Sequence, residues 1–102
     1  MHVITEKAIK AACSRYPNAK ASLLRWFKAV NNASWQNIIE VRRSYPDADA
    51  VQVESKKTVT VFNICRNDYR LVTAIHYNRQ KVFVLRFMTH ADYSKDTWKD
   101  IL

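Results

Sequence analysis

The side chains best suited to chemistry are two arginines, Arg70 and Arg86, in neighbouring segments that the sequence predicts to be strands. If the bulkier apolar side chains of both segments face a core, both arginines point away from it. A three-residue loop at 78–80 then places Arg86 diagonal to Arg70, and a four-residue loop at 65–68 places Asn63 opposite Arg70. Two such guanidinium groups repel each other unless an anion joins them, and phosphate oxygens match their N–H donors. An anion site is therefore one interpretation of this pattern.

The surroundings of this predicted site leave two interpretations open. Its floor is otherwise apolar and consists of Val61, Val72, Ala74 and Val84. His90 and Tyr93 follow the last strand directly and could fold over the same patch. In the alternative interpretation, both arginines pair with Asp68, Asp92 or the C-terminus and only stabilise the fold. The residue pattern alone does not decide between an anion site and a structural role.

The elements that carry these residues begin with three predicted helices. Up to about residue 45, apolar side chains recur at i, i+3, i+4 and i+7, which is typical of an amphipathic helix. The first helix is capped by Thr5 and stopped by Pro17, and the third follows Ser34. The side chains expected to face the core are Ile9, Ala12, Cys13 and Tyr16, then Leu23, Trp26, Phe27 and Val30, then Trp35, Ile38, Ile39 and Tyr45.

After residue 45 the period changes to two, which predicts strands. They are expected near 50–53, 58–64, 69–77 and 81–88. In the last of them, Phe83, Leu85 and Phe87 are expected to face the core. The short gaps favour antiparallel hairpins. The sequence thus predicts one α+β domain over residues 1–102, in which helices pack on one face of a small antiparallel sheet of three or four strands. The tail from His90 to Leu102 could add a short helix that carries Trp98.

Composition narrows the classes of function. The net charge of +8 and the pI near 9.8 favour a nucleic acid, an anionic membrane surface or an acidic protein as partner. Glycine is absent, which excludes the GxGxxG motif, the P-loop and the GxSxG nucleophile elbow. The sequence contains no stretch of 18 apolar residues, so no membrane span is expected, and the charged N-terminus does not resemble a signal peptide. Cys13 and Cys65 fit no metal spacing and are expected to be free thiols in the cytoplasm. No cofactor or metal site is expected.

Two segments resemble a known family. The runs VFNICRNDYRL at 61–71 and VLRFMTHADYSK at 84–95 are similar to the HigB branch of the RelE-type toxins of bacterial type II toxin–antitoxin modules. The opening MHVITEKAIKAACSRYP is similar to the start of the same branch. The resemblance implies a ribosome-dependent endoribonuclease that cuts translated mRNA and inhibits growth. It implies a helix-turn-helix antitoxin of the HigA type as partner, with a toxin–antitoxin heterotetramer as one form of the complex.

The resemblance also implies residue roles. Arg70 stands at the catalytic arginine of the family's YR(L/V) motif, and Arg86, His90 and Tyr93 stand in the contributing segment around the end of the last strand. Val61 and Asn63 occupy positions where the RelE branch has two lysines, so the base role of those lysines does not carry over. We infer that His90 takes part of it, because imidazole transfers protons readily at neutral pH. The side chains expected to bind RNA are Asn63, Lys56, Lys57, Arg66, Arg79 and Lys81.

Other classes of function stay open at this point. The basic residues of the first two helices are either a solvated face or a docking surface for ribosomal RNA or an acidic partner. A non-catalytic RNA- or DNA-binding module is the main alternative to an enzyme, although the sequence shows no helix-turn-helix. The predicted open sheet face also lacks the aromatic residues on which bases stack. A structural protein with an incidental basic surface is the third class.

Overall fold

A computed structural model of the chain describes residues 1–4, 6–100 and 102. The predicted α+β class is confirmed. The strands are β1 (His2–Ile4), β2 (Asp49–Gln52), β3 (Thr58–Ile64), β4 (Tyr69–His76) and β5 (Lys81–Thr89). The helices are α1 (Glu6–Arg15), α2 (Lys20–Asn31), α3 (Ile38–Ser44) and α4 (His90–Ser94). Short 3-10 turns cover Pro17–Ala19, Tyr77–Arg79 and Thr97–Asp100.

The sheet is larger than the sequence predicted. In the described part of the chain it has five strands in the order β1-β5-β4-β3-β2, where three or four were expected. The additional strand is β1, which pairs in parallel with the start of β5 and sets Val3 beside Val82. A segment of three residues is too short to show a period of two, so the pattern could not reveal it. The predicted cap at Thr5 lies outside the described residues.

Helices α1, α2 and α3 cover one face of the sheet, which we call the inner face. In α2, Leu23, Trp26 and Val30 are buried at helical spacing, as predicted. The Trp26 ring meets Phe62 of β3 edge to face, with the ring centres 5.4 Å apart. Burial of such large side chains is the main favourable contribution to packing the helices on the sheet.

The third helix begins later than predicted. Asn37 caps it by accepting a hydrogen bond from the backbone N–H of Glu40, at 3.1 Å. Trp35 is buried, as predicted, but precedes the helix. Because the helix starts at Ile38, Val41 takes the buried position one turn on, and Ile39 is 63% exposed instead of facing the core.

The β3–β4 hairpin has the predicted register. Ile64 pairs with Tyr69 and Asn63 pairs with Arg70. Ile64 and Phe62 face the helices, whereas Asn63 and Arg70 lie on the opposite face, which we call the outer face. The prediction succeeded because the apolar alternation and the loop length agree on this register.

The β4–β5 pair has the predicted register only from Tyr69–Thr89 to Val72–Arg86. Val72 pairs with Arg86, as predicted, but Thr73 pairs with Val84, so Leu85 is the extra residue of a β-bulge. Towards the hairpin turn the register is therefore shifted by one residue. The predicted three-residue loop is wrong, because His76 pairs with Lys81 and the turn comprises residues 77–80.

Between the bulge and the hairpin turn, the β5 side chains predicted to face the helices lie on the outer face, and those predicted for the outer face point toward the helices. Val82 and Val84 are buried in the inner core, whereas Phe83 and Leu85 lie on the outer face. The predicted core positions of Phe83 and Leu85 are thus wrong, as is the predicted place of Val84 in the outer floor. An extra residue in one strand shifts the alternation by one position. Both sets of side chains are apolar here, so the pattern fits either register.

The outer face carries a second, smaller core. Trp98 and Tyr93 of the C-terminal segment pack on a cluster that includes Val61 and Val72. The floor predicted as an open patch is therefore covered at this end of the sheet. The single tail helix is also a correction, because α4 ends at Ser94 and Trp98 lies in the following 3-10 turn.

Candidate active site on the outer sheet face

Arg70 is a buried cation held on two sides. Only 8% of the residue is exposed. Its Nη1 donates hydrogen bonds to the backbone oxygens of Asn67 and Tyr69, each at 3.0 Å. Its guanidinium carbon lies 5.6 Å from the centre of the Tyr93 ring, which is within cation–π range. The strand, the turn before it and the aromatic ring together keep the guanidinium in one orientation.

Part of the Arg70 guanidinium has no hydrogen-bond partner among the described residues. A guanidinium has five N–H donors, and Nη1 carries two of them. Among the described residues, Nε and Nη2 make no hydrogen bond and no carboxylate forms an ion pair with Arg70. A buried charge without an opposite partner is costly, so an anion at these donors would stabilise the site. The arrangement is suited to a phosphate group.

Tyr93 and Trp98 form an aromatic platform over the outer face. Their rings are stacked with centres 5.1 Å apart and planes 22° from parallel. The Trp98 indole N–H donates to the backbone oxygen of Tyr93 at 3.0 Å, which ties the 3-10 turn to α4. Trp98 is buried and Tyr93 is half-buried, so the pair anchors the C-terminal segment and still leaves part of Tyr93 accessible.

The phenol of Tyr93 is kept protonated. Burial raises its pKa, and the negative charges of Asp49 and Asp96 raise it further. Lys99 and Arg70 act in the opposite direction but do not outweigh these effects. The Tyr93 hydroxyl is therefore a hydrogen-bond donor at neutral pH, not a base.

The turn between β3 and β4 is strained and lies beside Arg70. Cys65 and Arg66 both have left-handed backbone angles, with φ of 51° and 61°. Residues with a Cβ atom adopt this backbone region only at a cost in conformational free energy, and such strain is often found near functional sites. The turn presents Asn67, whose side chain lies 3.5 Å from Asn63. The backbone oxygen of Asp68, in the same turn, accepts a hydrogen bond of 2.9 Å from the backbone N–H of His90.

The structure thus brings together four of the predicted site residues at one end of the sheet. Asn63 and Arg70 are paired across β3 and β4, Tyr93 lies over Arg70, and His90 is tied to the turn. His90 is exposed at the start of α4, which Thr89 caps by accepting from Asp92 N–H. Tyr93 folds over the patch, as predicted, whereas His90 is tied to the turn through its backbone N–H and its side chain is exposed.

Arg86 and Arg66 lie at the margin of this cluster. Arg86 is diagonal to Arg70 on the outer face, as predicted, but is exposed and lines a groove with Arg15, Asp92 and Lys95. Among the described residues it has no ion pair, and Asp92 pairs with Lys95 at 3.6 Å. Arg66 is exposed in the strained turn. Both cations are exposed to solvent near the end of the sheet that carries Arg70.

The other predicted RNA-binding residues lie at the far end of the sheet. Lys56 and Lys57 form the exposed turn between β2 and β3. Arg79 is in the β4–β5 turn, and Lys81 begins β5. Six residues of β4 separate this end from Arg70, which is about 20 Å at the rise of a β-strand. These cations lie too far from Arg70 to bind the same phosphate group.

A basic groove approaches the site from the inner side. β2 pairs with β3 from Thr58 to Val61, and the groove runs beside the remainder of β3. It is bordered by Asn63 and by Arg25 and Lys28 of α2, and no described Asp or Glu side chain lines it. Asn63 therefore borders this groove and also pairs with Arg70 across β3 and β4.

Sequence reasoning missed Asn67 and Trp98 as site residues. Asn67 positions Arg70 through its backbone oxygen, which no side-chain pattern reports. The sequence places Trp98 only on a possible tail helix, and its contact with Tyr93 depends on a 3-10 turn that periodicity does not detect. No described group of His, Cys, Asp and Glu side chains is arranged to hold a metal ion. No described helix is both long and apolar enough to cross a membrane.

Comparison with known proteins identifies the family. The mRNA interferase toxin HigB of Escherichia coli (strain K12) is 29% identical over 93 residues, which cover 91% of this chain and 88% of that protein. The mRNA interferases HigB of Escherichia coli O157:H7 and Shigella flexneri match to the same extent. Residues 19–96 match the family described as HigB_toxin, RelE-like toxic component of a toxin-antitoxin system. The chain therefore belongs to the HigB toxin family, as its two motif segments suggested.

Proposed function

We propose that the protein is an mRNA interferase, a toxin that cleaves translated mRNA on the ribosome without a metal ion. The observation that carries this proposal is the state of Arg70, a buried guanidinium with three N–H donors unused by described residues, beneath an aromatic ring and next to the turn that binds the backbone of His90. The names of the relatives, which are mRNA interferases, support the same activity.

The chemistry is attack of a ribose 2′-oxygen on the adjacent phosphorus. The 2′-oxygen–phosphorus bond forms, the bond from phosphorus to the 5′-oxygen breaks, and the products are a 2′,3′-cyclic phosphate and a 5′-hydroxyl. Arg70 would stabilise the negative charge that accumulates on the phosphorane oxygens. Because fixed guanidinium groups supply this charge stabilisation, the reaction has no need of a bound cation for that purpose.

His90, Tyr93 and Arg86 have distinct proposed roles. His90 would take the proton of the 2′-hydroxyl while water protonates the leaving 5′-oxygen, or would protonate that oxygen while water accepts the proton of the 2′-hydroxyl. Tyr93 would stack on a base or donate its hydroxyl hydrogen to the phosphate, since its raised pKa keeps it protonated. Arg86 would hold a neighbouring phosphate together with Arg15, which lines the same groove, whereas Lys95 there is paired with Asp92.

The RNA path is proposed to run along the basic groove. Asn63 would contact the strand next to Arg70, and Arg25 and Lys28 of α2 would follow the backbone beyond it. Arg66 would lie on the same route. Such contacts release counterions from the RNA, so binding should weaken steeply with salt. The ribosome would supply the remaining positioning of the messenger.

The cellular setting follows from the family. A toxin of a toxin–antitoxin system has an antitoxin as partner. We propose that this antitoxin is a helix-turn-helix protein of the HigA type, that the two form a heterotetramer, and that the toxin acts in the cytoplasm.

A reconstituted cleavage reaction tests the proposal. Purified toxin is added to a short messenger, either free or bound in the decoding site of a ribosome, and the cut ends are analysed. We expect cleavage only of the ribosome-bound messenger, with a 2′,3′-cyclic phosphate at one end. A 2′-O-methyl group at the cleaved nucleotide should block the cut. Equal cleavage of free RNA, or cleavage that survives the methyl group, would reject the proposed mechanism.

A further inference from the structure

The outer face carries an apolar surface that the active-site end does not use. We call it the bulge patch and define it by Ala74, His76, Phe83 and Leu85. Phe83 pairs with Ala74, and the bulge at Leu85 directs both Phe83 and Leu85 away from the helices. The His76 and Phe83 rings meet edge to face at 5.1 Å, which fixes the rim of the patch. Two shallow grooves meet on it at Ala74, His76 and Leu85.

The bulge patch differs from the other exposed apolar side chains. Leu24 and Ile39 are more exposed than Leu85, at 47% and 63% against 38%, but each is a single residue on a helix. Single exposed aliphatic residues are normal on a protein surface. Leu85 instead adjoins Phe83 and Ala74 in a continuous apolar area on a sheet face. Bulges re-aim side chains at particular places, so this exposure is a specific feature of the strand.

The charges around the bulge patch are mainly basic. Lys57 lines the groove on one side, where Leu102, the last residue of the sequence, brings a carboxylate, and Arg79 and Lys81 line the groove on the other. No described Asp or Glu side chain lines either groove. On the side of Arg79 and Lys81 the surface therefore combines an apolar centre with a cationic rim, which is complementary to a segment that carries aliphatic side chains flanked by carboxylates.

We propose that the bulge patch is the docking surface for an acidic, amphipathic segment of the antitoxin. An aliphatic side chain of that segment would cover Leu85 and Phe83, and its Asp or Glu residues would pair with Arg79 and Lys81. The proposal uses the family membership of the chain and does not depend on the mechanism of RNA cleavage. It assigns the cations of this end of the sheet to a protein partner, and RNA binding there becomes an outcome of the test.

Affinity for the purified cognate antitoxin decides the proposal. Leu85→Asp introduces a carboxylate into the patch and should weaken antitoxin binding about tenfold or more. Leu24→Asp is the matched control, since it makes the same change at an exposed leucine of α2, and it should bind within about twofold of the original chain. Circular dichroism and thermal melting establish that both variants fold. Unchanged affinity of Leu85→Asp, or an equal loss in Leu24→Asp, overturns the proposal.

A charge reversal provides a second test that does not touch the apolar centre. Arg79→Glu combined with Lys81→Glu should weaken antitoxin binding and reduce its salt dependence. If these variants bind the antitoxin normally but lose affinity for ribosomes or RNA, the patch is a nucleic-acid surface and the proposal is wrong.

Growth provides a readout that separates this proposal from the proposed function. Leu85→Asp should still arrest growth when expressed alone, because Leu85 is not among the residues proposed to bind or cleave RNA, but co-expressed antitoxin should no longer rescue it. If the original chain does not arrest growth, the proposed function fails, and the affinity measurement still decides the docking surface.

Discussion

The guanidinium carbon of Arg70 lies 5.6 Å from the centre of the Tyr93 ring, and this contact joins β4 to the C-terminal segment. Tyr93 in turn stacks on Trp98. The Tyr93 ring therefore contacts both a cation of the sheet and a ring of the tail, so the C-terminal segment helps to hold the Arg70 guanidinium in place. The proposed ribonuclease activity depends on whether this guanidinium binds a phosphate group.

The ring of Tyr93, more than its hydroxyl, should matter for cleavage. Tyr93→Phe keeps the stacking on Trp98 and the contact with Arg70, so we expect cleavage to fall less than about tenfold. Tyr93→Ala removes both contacts and should lower cleavage about 100-fold. Initial rates on ribosome-bound messenger distinguish the two. If Tyr93→Phe is as inactive as Tyr93→Ala, the hydroxyl itself takes part in the chemistry.

Tyr93 should also contribute to stability in a pH-dependent way. Burial raises the pKa of its phenol in the folded protein above that in the unfolded chain, which is about 10. The folded state therefore holds this proton more tightly, and the associated stability is complete below about pH 10 and is lost as pH rises through the folded pKa. Burial raises the pKa of Tyr45 and Tyr77 in the same direction.

Urea unfolding at pH 8 and at pH 11 measures this contribution. The free energy of unfolding should fall between the two pH values in the original chain. The fall should be smaller in Tyr93→Phe, because that variant lacks the phenol while Tyr45 and Tyr77 remain. An equal fall in both proteins would contradict the assigned direction of the Tyr93 pKa shift.

His90 should be needed for cleavage, and His76 provides the matched control. Both histidines are exposed, but the backbone of His90 is hydrogen-bonded to the turn that precedes Arg70, whereas His76 lies at the other end of β4. His90→Ala should lower the cleavage rate about 100-fold or more, the usual size of general acid–base catalysis. His76→Ala should leave the rate unchanged. Similar rates for both variants would remove His90 from the mechanism.

Arg70→Lys should not rescue Arg70→Ala. Lysine keeps the charge but lacks the planar set of donors that binds two backbone oxygens and a phosphate together. Both variants should lose most of the cleavage activity. Each should cost about 1–3 kcal/mol of stability, since two hydrogen bonds of a buried group are lost, and should still fold. Substantial activity in Arg70→Lys would mean that only a positive charge is required.

The hairpin of β3 and β4 shows what the sequence could predict. Apolar alternation and a four-residue loop agree there, and Asn63 pairs with Arg70 as expected. In β5 the alternation is ambiguous, since Val82, Phe83, Val84 and Leu85 are all apolar. One extra residue at Leu85 then exchanges the inner and outer side chains without any sign in the composition.

The candidate site was predictable only where side chains follow strand register. Arg70, Asn63 and Arg86 come from register, and their faces are as expected. The contacts of Tyr93 with Arg70 and Trp98 depend on how the tail folds back, which short 3-10 turns determine. The hydrogen bonds of Arg70 to backbone oxygens of Asn67 and Tyr69 depend on a strained turn, where Cys65 and Arg66 take angles that their residue types do not favour.

The most direct measurement is inducible expression in bacteria without an antitoxin, with RNA 5′ ends mapped on translated messages. The original chain is compared with Arg70→Ala and with Arg79→Ala, which removes an exposed arginine at the far end of the sheet. We expect growth arrest and new cuts inside reading frames for the original chain and for Arg79→Ala, and neither for Arg70→Ala. Cuts that persist in Arg70→Ala, or normal growth and intact messages with the original chain, would contradict this expectation.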